Sequence, residues 1–110
     1  MYLPHLQNAL VPKNKILDYL INLSHWVGGS KAIFFRNFGF NENNVNKFEN
    51  SLLNIVRSNE VLKITQNAFG TKYIIDGIFI TPDGRNPEIT TVWFIENQTE
   101  IPKLVTAYPK

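Results

Sequence analysis

His25 stands just before the glycine pair of HWVGGSK, Lys31 follows it, and Arg36 lies five residues further on. A glycine turn opening a helix offers free backbone N–H groups and the positive end of the helix dipole, which together favour an anion. The closing segment KLVTAYPK adds Thr106 and Tyr108 two residues apart, and strand alternation would put both on the face of Leu104. Lys72 in FGTKYIID and Thr91 in TTVWF could supply one more cation and one more hydroxyl. This residue set suits cleavage of RNA through its own 2′-hydroxyl, which needs a proton acceptor, a proton donor and charge stabilisation but no metal. His25 would be the general base or acid, since an imidazole titrates near neutral pH. Lys31, Arg36 and Lys72 would hold the phosphate with Thr91, and Thr106 and Tyr108 would position it. Trp26, Trp93 or Tyr108 could stack on an unpaired base.

Each residue also has a structural alternative. A histidine ahead of a helix can bond locally, an arginine can serve a surface ion pair, and strand threonines and tryptophans often belong to a core. Other chemistries find less support. The chain has no cysteine, which removes disulfides, thiolate nucleophiles and cysteine-bound zinc. His5 and His25 sit in no spaced ligand motif. GGSK lacks the preceding strand and the spacing of a phosphate loop, so no nucleotide cofactor or metal is expected.

The 110 residues suffice for one domain, 1–110, with its own core, and 44% apolar content fits a globular protein. Eleven basic residues against nine acidic ones permit a nucleic-acid partner without requiring it. No apolar run approaches the ~20 residues of a membrane span, and the first residues lack the pattern of an export signal. A cytoplasmic protein without a membrane partner is the expectation.

Helical patterning fills the first half. VPKNKILDYLINL has Pro12 in its first turn and apolar residues at helical spacing. KAIFFRNF follows, with Ser30 as its expected cap and Gly39 as its stop. The third helix, within NENNVNKFENSLLNIVRS, would be capped by Asn41 or Asn43. Beyond Asn59 the period changes to alternation in EVLKITQ, TKYIIDGIFIT, EITTVWFIE and KLVTAY, separated by turn segments too short for parallel crossovers. The expected fold is α+β, with two or three N-terminal helices on one face of a four-stranded antiparallel meander.

The blocks HWVGGSKAIFFRNFGF, FGTKYIIDGIFITPDGR, TVWFI and PKLVTAYP resemble a family of small bacterial domains of unknown function found alone and at the C-termini of polymorphic toxins. One departure is Trp26, where the relatives tend to carry proline after the histidine. The order of helices and strands is also similar to that of barnase- and RelE-like ribonuclease toxins. The resemblance implies one half of a toxin–antitoxin pair, with a small cognate antitoxin as partner and RNA as substrate. It places His25, Lys31 and Arg36 in the first block, Thr71 and Lys72 in the second, Thr91 in the third, and Thr106 and Tyr108 in the last. A toxin-like, metal-independent endoribonuclease is the first expectation. A non-catalytic protein-interaction domain using the same face is the second, and an enzyme acting on another substrate is the third.

Overall fold

The computed structural model describes residues 1–26 and 29–110. A 3₁₀ turn, Leu6–Asn8, precedes α1 (Lys13–Lys15), which runs directly into a π-helical turn, Ile16–Leu20. Then come α2 (Gly29–Asn37), α3 (Val45–Ser58), β1 (Lys63–Gln66), β2 (Gly70–Ile78), β3 (Glu88–Glu96) and β4 (Lys103–Pro109). The strands form one antiparallel sheet in the order β1-β2-β3-β4. This is the α+β meander that the change of period anticipates. No helix among the described residues is long and apolar enough to cross a membrane.

Two helix boundaries differ from the sequence pattern. The first helix ends at Leu20 rather than Leu23, because the Ile21 N–H reaches back to the Ile16 carbonyl at 3.0 Å. That wider turn is followed by an Asn22 side chain that accepts from Ser24 N–H at 3.0 Å, an alternative to continued helix. At the third helix the cap residue is Asn44, not Asn41 or Asn43. Its side chain accepts from Asn41 N–H at 2.8 Å and donates to the Gly39 carbonyl at 2.9 Å, fixing the approach to the helix. Gly39 does stop α2, at a φ of 104° that glycine tolerates without strain.

The core lies between the helices and one sheet face. Ile16, Leu20, Phe35, Phe48, Leu52, Ile55 and Val56 meet Ile75, Phe79, Ile89, Trp93, Leu104 and Ala107 there. Rings of Phe35, Phe40, Phe48 and Phe79 pack mostly edge to face, with centroids 4.7–5.5 Å apart. Near Gly77 the third helix rests on bare β2 backbone. A methyl group there would stand 2.9 Å from Ile55 Cγ2 and 2.5 Å from Asn59 Nδ2. Gly77→Ala is therefore expected to lift the end of α3 and destabilise the fold by ~1–3 kcal/mol. A thermal melt checks this, and an unchanged midpoint would show that α3 yields freely.

The β2–β3 turn is fastened to α2. Arg85 donates to Asp83 Oδ2 at 2.6 Å and to the Asn37 carbonyl at 2.6 Å, and its guanidinium lies 4.2 Å over the Phe38 ring. Asp83 accepts from Arg85 N–H and, with the Arg85 side chain and Thr81 hydroxyl, this holds its carboxyl below the usual aspartate range.

β4 breaks the simple alternation. Val92 pairs with Thr106 but Trp93 pairs with Leu104, so Val105 is an extra residue forming a bulge. Leu104 and Ala107 consequently both enter the core, while Thr106 and Tyr108 oppose Val92 and Thr90 on the helix-free face. The expectation that Thr106 and Tyr108 share a face with Leu104 is corrected by this bulge.

Candidate functional site

The N-terminal segment closes the outer edge of β4. Leu10 N–H donates to the Pro102 carbonyl at 2.8 Å, and Leu104 N–H donates to the Leu10 carbonyl at 3.0 Å, forming a parallel bridge. The first helix then carries Tyr19 alongside β4, where the phenol oxygen lies 3.2 Å from Thr106 Oγ1.

Several chemical groups gather on the Tyr19 ring. The His25 ring stands edge-on to it, with centroids 5.0 Å apart and planes at 79°. Lys15 Nζ lies 5.4 Å and Lys31 Nζ 5.7 Å from the ring centroid. An aromatic face attracts ammonium groups by ~0.5–1 kcal/mol at exposed sites, which tethers both lysines without neutralising them. Neither lysine has a carboxylate ion-pair partner among the described residues. An anion near this ring would be attracted by both charges. Trp26, adjacent to His25, is 93% exposed and presents its indole to solvent.

The anticipated glycine turn looks different in place. Gly28 lies outside the described residues. Gly29 N–H donates to the His25 carbonyl at 2.7 Å, so this donor is already committed. Ser30 falls inside the first turn of α2 rather than ahead of it.

The other expected site residues divide by position. Arg36 donates from Nε to the Ile21 carbonyl at 2.7 Å and from Nη2 to Glu42 Oε2 at 2.7 Å. That second bond is the main reason the Glu42 carboxyl lies below its ordinary range. Arg36 thus ties the end of the π turn and the α2–α3 loop together. Thr91 is 0% exposed, donates to the Ile75 carbonyl at 2.7 Å and accepts from Trp93 Nε1 at 2.9 Å. Both are core residues, so neither the Thr91 hydroxyl nor the Trp93 indole meets a surface ligand. Lys72 is exposed on the helix-free face opposite Thr65 and Phe94, about 12 Å along the sheet from Thr106. Tyr108 is half-buried opposite Thr90 on that same face.

The structure therefore brings His25, Lys31 and Thr106 together, with Tyr108 two residues along the strand. It adds Tyr19 and Lys15. Their spacing of four on a helix was a visible signal, since such residues are neighbours on one face. No three His, Asp or Glu side chains gather as a metal-ligand set among the described residues. A shallow depression lined by Lys47, Asn50, Ser51, Asn54 and Ile80 shares no residue with the Tyr19 cluster.

A family model described as a domain of unknown function, DUF6883, matches residues 2–110. No curated protein matches the chain in sequence. Among solved structures, the fold is similar to a chain of a contact-dependent growth inhibition toxin–immunity protein complex from Klebsiella pneumoniae 342. The TM-score is 0.74 at 20% identity, and the match covers 96% of this chain and 97% of that one.

Proposed function

The chain belongs to the DUF6883 family of domains of unknown function, and from that premise we propose that it is a toxin-like, metal-independent endoribonuclease held in check by a small cognate partner protein. The observation that carries this reading is the convergence of His25, Lys15, Lys31 and Thr106 on Tyr19. The likeness in fold to a chain of a toxin–immunity complex supports the toxin half of it.

In this reading His25 takes the proton of the RNA 2′-hydroxyl as that oxygen attacks phosphorus. The bond from phosphorus to the 5′-oxygen breaks, the leaving oxygen takes a proton from water, and His25 passes its own proton back to solvent. Lys15 and Lys31 offset the charge growing on the non-bridging oxygens, and whichever hydroxyl of the Tyr19–Thr106 pair accepts from the other donates its own hydrogen to them. Products carry a 2′,3′-cyclic phosphate and a 5′-hydroxyl. Trp26 offers a stacking surface for one base beside the scissile bond. Lys72 meets a neighbouring phosphate along the sheet, whereas Arg36 and Thr91 contribute by holding the scaffold. The substrate places its action in the cytoplasm.

The test is incubation of the purified protein with total RNA in EDTA, beside a Lys31→Ala/Tyr108→Ala double variant. Discrete fragments from the wild type, lost in the folded variant, are expected. Intact RNA in both lanes would leave the second reading, a non-catalytic interaction domain. Leu62, Ile64 and Phe69 favour that alternative, because all three are exposed beside the open edge of β1, with Phe69 77% accessible.

A further inference from the structure

Asp76 Oδ1 is a buried side-chain oxygen with no hydrogen-bond partner among the described residues. Native structures leave few such atoms, and each calls for an explanation. Oδ2 of the same carboxylate lies 3.6 Å from Lys110 Nζ, with the aspartate side chain 11% exposed and the lysine side chain 52% exposed. Lys110 is shared with Glu88 Oε2 at 3.3 Å. On the sheet, Asp76 opposes Thr90 and Thr90 opposes Tyr108, so the three form one row across the helix-free face. Thr90 is buried although no helix covers that face, which means its neighbours close over it. The surface of the row is then made by the half-buried Tyr108 at one end and the exposed Lys110 at the other, with the Asp76 carboxylate beneath it.

Tyr108 lies two residues beyond Thr106, about 7 Å along the strand, a gap that one nucleotide bridges between phosphate and base. We propose that this row recognises a base next to the scissile phosphate and selects guanine. The inference rests on the ribonuclease reading and names its substrate preference. Guanine stacks on Tyr108 and presents two donors, N1–H and the N2 amino group, to the two oxygens of Asp76. The exposed Lys110 side chain swings aside to admit the base edge and donates to O6. Adenine would turn the N1 lone pair toward the carboxylate, and cytosine offers it only one donor group, so both fit less well.

The experiment is calorimetric titration with guanosine, inosine and adenosine 3′-monophosphates, using the wild type, Asp76→Asn and Tyr108→Ala. The wild type should prefer guanosine over adenosine by ~10- to 100-fold, with inosine between them. Asp76→Asn should abolish the preference, and Tyr108→Ala should weaken all three nucleotides. Equal wild-type binding, a preference retained in Asp76→Asn, or no mononucleotide binding would overturn the assignment. Guanosine preference without RNA cleavage would keep the base site and remove the ribonuclease reading. Cleavage without base preference would do the reverse.

Discussion

In the proposed ribonuclease, His25→Ala is expected to cleave RNA ~10²–10⁴-fold more slowly than the wild type, the usual effect of removing a positioned proton-transfer group. The loss is expected in the turnover rate of a short oligonucleotide under single-turnover conditions, with its binding nearly unchanged. Binding is retained because Lys15 and Lys31 reach the Tyr19 ring independently of the imidazole. Since the His25 ring also packs edge-on against Tyr19, the variant needs a melting curve beside the rate. A folded variant that cleaves at the wild-type rate would remove His25 from the chemistry. The two lysines and the hydroxyls would then remain only as a phosphate-binding group.

Phe79→Ala is the substitution with the largest expected cost to the fold. Phe79 is fully buried, and its ring meets Phe35 at 5.5 Å, Phe40 at 5.1 Å and Phe48 at 5.2 Å. Those partners come from α2, the loop after it and α3, while Phe79 directly follows β2. Removing the ring leaves a cavity where these elements meet, at a cost of ~3–5 kcal/mol. Against a typical total of ~5–15 kcal/mol, that approaches the whole stability of a weak fold. Urea unfolding measures it directly. Phe79→Leu should lose less by filling part of the space, and equal losses for the two variants would mean that volume is not what Phe79 supplies.

The architecture was legible because each half of the chain keeps one period. Helical spacing up to Ser58 and alternation afterwards leave only short turns between strands, and short turns impose an antiparallel meander. Thr91 was legible too, since it lies two residues before Trp93 and must share that residue's face. The two therefore go together, either both to the core or both to a ligand, and the core takes them. Other features depend on distant contacts. The hydroxyl of Tyr19 meets that of Thr106 across 87 positions, and no local pattern announces such a pair. Arg36 carries the same charge in a groove or in a scaffold, and only the Ile21 carbonyl and Glu42 decide between them. The β4 bulge adds one residue without a glycine or proline to mark it, so an unbroken alternation misplaces every side chain beyond Val105.

That bulge also sets how the last strand tolerates change. In an uninterrupted strand, gaining or losing one residue turns every later side chain over. Here the segment before Val105 is anchored by the N-terminal bridge, and the segment after it holds Ala107 in the core and Thr106 and Tyr108 outside. Deleting Val105 would remove the extra residue and leave plain alternation, with Leu104 and Ala107 still inward and Thr106 and Tyr108 still outward, whereas deleting Ala107 would turn the phenol inward. Lengthening the β3–β4 loop would leave them in place. Heritable length variation is therefore cheap ahead of Lys103 and at Val105, and prohibitive between Thr106 and Tyr108, where one residue more or fewer would take the outer phenol out of register.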